Sequence, residues 1–504
     1  MVSPIFKKYE GFEEGVINVG SAASVPVTAL RKLQNFYLKD GLLRKLPGLA
    51  EINGTAIGAD PVWSVFSGHH IYPDKAQRLA ASGSKIYKFN DQSDAFEELY
   101  SGLNANKQIE FLEEPPYVYF GSQFDDWRKF EIGTTLTYKI GNTQAPPKAS
   151  QILYNAYAQR YFAIGDLTDK DKLKWSNHID DGGIEIWPDA NNQVIESESG
   201  DYPQRMAIYE GTVTMASQHS IHSGDVTGVP EIWDFRREKA KTGTIAGRTF
   251  KRWGTSFLML SPSLEVYAWP DDVFITKEKI KFDINPHKAH LACAEIVEDR
   301  FYYLVFESSE AVSQDKYHLW IYDLIGKRWS GPHKYYNLVS LFYDRGNNVL
   351  LCGGSDDLAG FVLEHRGRDI KGRKSPGHII SSYHDYDYSR IDKRYSKFYM
   401  TCSQEGVLPS NAGQVEVIVN VDGKYNNPQS QRLSLIDDPA PNSHIADTGD
   451  IREVITKRAH IEDAYGLGNR IQVEIKHEVQ NGDFAIKDFE IGFKPLGKKE
   501  QIRV

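Results

Sequence analysis

A short strand keeps returning along this chain: a few apolar residues closing on an aromatic, beside a polar or charged turn. It reads IYKF at Ile86 to Phe89, LTYKI at Leu136 to Ile140 and IEIW at Ile184 to Trp187. It returns as EIWDF at Glu231 to Phe235, LEVYAW at Leu264 to Trp269, LWIYDL at Leu319 to Leu324 and GFVLEH at Gly360 to His365. The copies stand about 45 residues apart, the length of one four-stranded propeller blade. Strands at that spacing predict an all-β chain built on a β-propeller, with six or seven blades both compatible. A propeller closes on itself and sets loops around a central channel, which narrows what the chain can do.

The flanking sequence fills in the layout. Residues 1–30 are small, polar and turn-rich and read as an N-terminal arm or edge strand. In NFYLKDGLLRKLPGL, alternation interrupted at Asp40-Gly41 signals a hairpin, and Pro47-Gly48 forces a turn. The propeller is expected over residues 31–368. Several pairs there repeat one scheme, an apolar strand, a Gly or Ser turn, then the aromatic strand, as in ASGSKIYKF and LSPSLEVYAW. Residues 369–376 lie in a basic, Gly- and Pro-bearing stretch that reads as a linker. Residues 377–504 predict a second β-domain, sandwich-like, because QVEVIVNV and RIQVEIKHEV alternate almost strictly and each needs one buried face.

Composition excludes several classes. Aromatic residues make up 12% of the 504, which suits rings packing across strands. The net charge of −9 argues against a protein that coats nucleic acid, since such a protein must displace phosphate counterions. It leaves room for a surface past which DNA slides. Cys293, Cys352 and Cys402 are far apart with no CxxC, so three idle thiols are expected rather than disulfides or a zinc site. No apolar run is long enough for a membrane span, and the N-terminal residues lack a signal-peptide core, so folding in a reducing cytoplasm is expected.

Candidate chemistry is sparse. His219-x-x-His222, His287-x-x-His290 and His69-His70 have metal-like spacings, but i,i+3 in a strand region points the rings to opposite faces, and no carboxylate accompanies them. Asp166, Asp169 and Asp171, and the pair Asp180-Asp181, offer oxygen ligands for calcium without its D-x-D-x-D-G loop; turn chemistry accounts for them more simply. Nucleophile-elbow, zinc-protease and P-loop motifs are missing. Carboxylates drawn from separate blades, as in propeller glycosidases, stay open. The basic run Arg366 to Lys374 fits a solvated linker or subunit contact better than a phosphate site, and the Tyr-Asp run Tyr383 to Tyr395 fits inter-domain packing or sugar or DNA binding. No catalytic residue, metal or cofactor is assigned.

The order of motifs carries more than any one of them. NFYLKDGLLRKLPGL, GSKIYKF, RYFAIGDLTDKDKLKW, ESGDYPQRMAIYEGTVTMASQHS, PEIWDF, WGTSFLMLSPSLEVYAW and LWIYDLIGKRWSGP follow in a sequence that resembles the propeller-containing tail nozzle proteins of short-tailed bacteriophages, also called packaged-DNA stabilisation or head-closure proteins. Asn35, Gly41, Leu43, Arg44, Pro47 and Gly48 match the family's opening; Asp166, Leu167 and Trp175 match a mid-chain segment; Tyr322, Asp323 and Trp329 match a late strand. The acidic segment departs from the family, reading Glu198-Ser199-Gly200-Asp201-Tyr202-Pro203. The resemblance spans residues 30 to 365. It implies a structural, non-enzymatic protein of the virion tail, made in the host bacterial cytoplasm. It implies a homohexameric ring below the portal and adaptor, touching other tail proteins, with duplex DNA passing through the lumen. A neutral to acidic lumen is expected to hold the DNA sterically rather than by attraction. The alternative is a carbohydrate-binding or glycan-degrading propeller of a virion tail, which exposed Trp and Tyr beside Asp or Glu in one channel mouth would favour.

Overall fold

Short strands divided by Gly, Asp and Asn turns pair with their sequence neighbours, and that local pairing builds most of the molecule. The computed structural model describes residues 5–9, 12–20, 25–26, 28–68, 77–140, 144–196, 200–312, 314–367, 369–373, 375–384, 393–404, 414–422, 425–426, 429–434, 455–468, 470–477 and 484–495. It is all-β, with short 3-10 turns between strands. Seven antiparallel meanders follow one another, with first strands Val62–Gly68, Glu110–Glu114, Gln151–Asn155, Arg205–Tyr209, Lys251–Trp253, Cys293–Val297 and Leu338–Asp344. Each has four strands in chain order except the seventh. There the fourth strand is Ala50–Glu51, from the other end of the chain, paired antiparallel as Leu363↔Glu51 and Glu364↔Ala50.

The first strands pack in a circuit. Those of meanders one to four touch in succession, as do those of meanders five, six and seven, and that of meander seven returns to meander one. Meanders four and five are joined by Arg252, whose Nη1 donates to the Ile208 carbonyl at 3.2 Å. At the return point the Ser340 hydroxyl donates to the Val62 carbonyl at 2.7 Å, and a Cβ on Gly353 would run into that same oxygen. Aromatic and aliphatic side chains fill the gaps between neighbouring meanders. Phe66 stacks on Phe111 at 5.5 Å, and Trp233 meets Trp175 at 5.2 Å.

The recurring aromatic strand is the third strand of meanders one, five, six and seven (Lys85–Asn90, Val266–Trp269, Asp315–Asp323, Val362–Glu364) and the outer strand of meander two, Thr137–Lys139. In meanders three and four the expectation fails. IEIW and EIWDF fall in the connections after the third strands, where Gly183–Glu185 and Pro230–Ile232 form 3-10 turns. Trp187 and Trp233 are buried all the same, Trp187 donating its indole N–H to Ile184 O at 2.6 Å. An aromatic after a hydrophobic pair marks a buried anchor, and either a strand or a tight turn can deliver one.

The remaining strands form a second unit. One sheet runs Tyr425–Asn426, Ile455–Gly468, Lys393–Gln404, Phe484–Pro495, Leu42–Lys45, Phe36–Lys39, with Ile5–Tyr9 also on Phe484–Pro495. The other continues meander six through Gly15–Val16, Ala29–Gln34, Gly377–Ser381, Arg470–His477, Gln414–Asp422 and Gln429–Ser434. Val415, Val417, Val419 and Val421 from the second sheet share one core with Phe398, Ile486, Phe489 and Ile491 from the first. Arg470–His477 alternates buried and half-buried throughout, as its sequence pattern requires. Each fully buried Val, Ile or Phe contributes roughly 2 kcal/mol.

Pairing places the strands Ile5–Tyr9, Gly15–Val16, Ala29–Gln34, Phe36–Lys39 and Leu42–Lys45 with the C-terminal strands, Ile5–Tyr9 as an edge strand, and the expected boundary at residue 31 falls inside the strand Ala29–Gln34. The segment read as a linker is pinned: Ile370 is buried and bridges Leu49. The hairpin at Asp40-Gly41 is present, with φ of 55° and 77°, the left-handed pair that a two-residue turn needs. No helix among the described residues is long and apolar enough to cross a membrane.

Candidate functional site

The first strands of several meanders begin with a charged side chain near the centre of the circuit. Glu110 opens the second, Arg205 the fourth and Lys251 the fifth, while Glu295 sits within the sixth. Arg205 reaches back across to Glu110 and grips both carboxylate oxygens, Nη1 to Oε2 at 3.0 Å and Nη2 to Oε1 at 2.6 Å. Lys251 Nζ lies 2.8 Å from Glu295 Oε2. The Arg248 guanidinium donates to the Val339 carbonyl at 3.0 Å. Paired charges therefore link the first strands of meanders two and four and of meanders five and six. A bidentate, partly buried arginine–carboxylate pair is stronger and better oriented than the exposed pairs on the rim.

The pair separates two cavities, since Glu110, Arg205 and Arg248 line both. The inner one, about 180 Å³, has Phe66, Phe111 and Phe342 among its lining. The outer one, about 700 Å³, opens among the loops. Its wall carries Trp63, Phe124 and Tyr202, the cations Lys107, Lys170 and Lys288, and several amides. The Lys107 ammonium sits 4.8 Å from the Phe124 ring centre and the Lys170 ammonium 5.8 Å from that of Tyr202. Arg205, Arg248 and the three lysines face a single carboxylate on this wall, that of Glu110.

The sequence candidates fall elsewhere. His219 is exposed, while His222 is buried with Nε2 3.0 Å from the Glu196 carbonyl, and burial lowers its pKa below 6.5. His287 and His290 are both exposed, and His290 lies on the outer cavity wall. His69 and His70 lie outside the described residues. Asp166 accepts from Thr168 and from Lys174 Nζ at 2.8 Å; Asp169 pairs with Lys174 at 2.7 Å and Lys172 at 3.0 Å. Lysines hold these carboxylates, which together make a turn. Asp180 and Asp181 are exposed at a 3-10 turn next to His178. Among the described residues no group of three or more His, Cys, Asp or Glu side chains is placed to hold a metal ion. Cys293 and Cys352 are free and buried, and burial raises both thiol pKa values. In the basic run, Arg366 pairs with Glu364, Arg373 with Asp357 and Lys371 with Glu51. Residues 385–392 of the Tyr-Asp run lie outside the described residues, while Tyr395 packs on Phe493 in the second unit's core.

Two groups of residues escaped the sequence reading. One is the set of charged residues on the first strands; their repetition at blade spacing is the signal that would have found them. The other is an ionic chain behind the circuit. His318, on the third strand of meander six, has Nδ1 2.8 Å from Asp283 Oδ2, a close ionic contact, and Nε2 3.4 Å from Asp315 Oδ2. Lys334 Nζ lies 2.7 Å from the same Asp315 oxygen, and the Ser308 hydroxyl donates to Asp283 at 2.8 Å. Burial by itself would lower the His318 pKa, but the two carboxylates outweigh it and hold it above 6.5. Burial would raise Asp315, but His318 and Lys334 outweigh it and bring it to about 2. The chain joins meander six to the segment before it.

Of the residues carrying the phage-tail resemblance, Asn35, Pro47 and Gly48 lie against meander six and the segments around it, while Asp166, Leu167 and Trp175 lie in meander three. Asn35 is buried at φ 55°; its backbone N–H donates to His333 Nδ1 at 3.0 Å, its amide to Pro376 O at 2.7 Å, and its carbonyl oxygen Oδ1 accepts from Lys334 N at 3.0 Å. Pro47 O accepts from Tyr336 Oη at 2.7 Å, and a Cβ on Gly48 would strike the Asp369 carbonyl. Asp323 caps its turn through Ile325 N and Gly326 N, and Tyr322 packs on Trp329 at 4.9 Å. No family model matches the chain, and no curated protein matches it.

Proposed function

We propose that this chain is a structural subunit of a short-tailed bacteriophage tail, a nozzle that retains packaged DNA below the portal and adaptor and conducts it during ejection. In this reading the meanders are the seven blades of a β-propeller, closed by the strand Ala50–Glu51, and the second unit is sandwich-like. The subunit is not an enzyme. It assembles as a homohexamer in the virion after synthesis in the host cytoplasm.

The observation that carries the reading is the motif order, together with where those motifs stand. Asn35, Pro47 and Gly48 tie the N-terminal segment to His333, Tyr336 and Asp369, so they serve architecture rather than chemistry. Two further features support it. Ion pairs link first strands to one another inside the single subunit, so a duplex would pass between subunits rather than through one. Exposed apolar residues stand on or beside the outer edges of consecutive meanders, among them Leu136, Val194, Ile232 and Val273, with Ile232 69% exposed. Such residues suit lateral contacts of the heterologous kind that closes rings.

Native mass spectrometry and electron microscopy of the purified full chain test the proposal. The expected result is a sixfold ring whose lumen admits a duplex and is neutral to acidic. A protein that stays monomeric at tens of micromolar, on the order of ordinary assay concentrations, refutes it, and a lumen lined by unpaired Lys and Arg refutes the steric mode of retention. The glycan-binding alternative is favoured by one observation, the composition of the outer cavity.

A further inference from the structure

We propose that the outer cavity at the centre of the circuit binds an acidic oligosaccharide, a short run of carboxylate-bearing sugars. The inference stands apart from the nozzle reading and uses only the cavity.

Charge is the first argument. The chain as a whole carries −9, yet this wall gathers Lys107, Lys170, Lys288, Arg205 and Arg248 against Glu110 alone. Glu110 is already held by both terminal nitrogens of Arg205. Lys107, Lys170 and Lys288 have no ion-pair partner among the described residues, and all three are exposed to the cavity's solvent. Lys107, Lys170 and Lys288 come from three separate parts of the chain and repel one another with no carboxylate between them, so their convergence calls for an anion.

The remaining lining selects the kind of anion. Trp63, Phe124 and Tyr202 line the wall, with Lys107 over one face of Phe124 and Lys170 over one face of Tyr202; Tyr202 is 39% exposed, and a face left uncovered packs on the apolar face of a sugar ring. Asn106, Gln108, Gln123 and Gln204 add amides that both donate and accept, as hydroxyl-rich ligands require. The indole N–H of Trp63 has no acceptor among the described residues. At about 700 Å³ the cavity falls in the range that encloses a ligand of two or three rings. The Arg205–Glu110 pair stands between it and the smaller cavity, with Lys251–Glu295 beyond. An acidic peptide would satisfy the lysines but would leave the ring faces and amides without use.

Isothermal titration of the full chain tests this, with the trimer of galacturonic acid and the trimer of sialic acid as probes, maltotriose as the neutral control and an oligothymidine tetramer as the phosphate control. One acidic trimer is expected to bind with a Kd below about 1 mM, at least about tenfold more tightly than maltotriose or the tetramer. Raising the salt should weaken it. Lys288→Glu and Lys170→Ala alter exposed side chains and should each weaken binding about tenfold with the unfolding midpoint unchanged. Tyr202→Ala should weaken both acidic and neutral sugars. Failure of both acidic trimers to bind, tetramer binding as tight as theirs, or undiminished affinity in Lys288→Glu and Lys170→Ala overturns the proposal. None of these outcomes bears on ring assembly, which the mass measurement reads separately.

Discussion

Replacing His318 by Asn should destabilise the fold in a pH-dependent way. His318 bridges Asp283 and Asp315, and Lys334 reaches Asp315 alone. Without the imidazolium, two carboxylates face a space with one ammonium. Asp315 falls from 3.8 to about 2, which corresponds to about 2 kcal/mol of preference for its charged form, shared between His318 and Lys334. Asp283 is lowered too, against burial, by the same histidine. Removing one partner of such a buried group costs about 3 kcal/mol. The histidine's folded pKa is raised, so its contribution is complete below its unfolded value near 6.5 and disappears as pH rises through the folded value. The two carboxylates titrate oppositely: their contribution is complete above about 3.8 and is lost as pH falls, for Asp315 through about 2. The difference between wild type and His318→Asn should thus be on the order of 3 kcal/mol at about pH 6 and smaller at about pH 9. Denaturant unfolding at both pH values measures it. An equal difference at the two would show that His318 acts by packing and that its charge is idle.

Gly353→Val places a side chain against the Val62 carbonyl where meander seven meets meander one, and should cost about 2–3 kcal/mol in denaturant unfolding; a neutral result would mean the seam is loose. At Asn35, held at φ 55°, Asn→Gly should cost about 1 kcal/mol less than Asn→Ala in the same assay, because both lose the amide's bonds but only alanine is strained. His365 is half-buried against Tyr303 and Tyr336 with its Nε2 enclosed, and desolvation lowers its pKa to about 4, so the fold needs it neutral: its contribution is complete above pH 6.5 and erodes as pH falls toward about 4. His365→Phe should flatten that part of the acid unfolding profile, and an unchanged profile would contradict the assignment. Trp233→Ala empties the space between Phe162 and Trp175 and should cost about 3–5 kcal/mol by the same unfolding measurement.

Much of the strand content was legible because strand period and turn chemistry are local. Asp40-Gly41 demanded a hairpin and formed one, and RIQVEIKH alternated and buried alternate residues. What stayed hidden is non-local. Nothing in ALRKLQ says that its partners are Gly377–Ser381 on one side and Arg328–His333 on the other. IEIW and EIWDF misled because burial of Trp187 and Trp233 fixes the composition of a segment without fixing its backbone. The outer cavity was invisible for a related reason. Lys107, Lys170, Tyr202, Arg248 and Lys288 are ordinary loop and strand-end residues one at a time, and only the circuit brings them together. Conversely, the aspartates that stood out in the sequence are paired with lysines or exposed, and of the described histidines His219, His287 and His290 are exposed while His222 is buried against the Glu196 carbonyl.

The strand Ala50–Glu51 leaves the ribosome long before its partner Val362–Glu364, which emerges only after the first six meanders have been made. Until then two bare strand edges await each other, and a nascent chain on a neighbouring ribosome offers the same edge. Crowded expression should therefore yield some chains that lend this latch to a sister copy, giving exchanged dimers that dilution alone separates slowly.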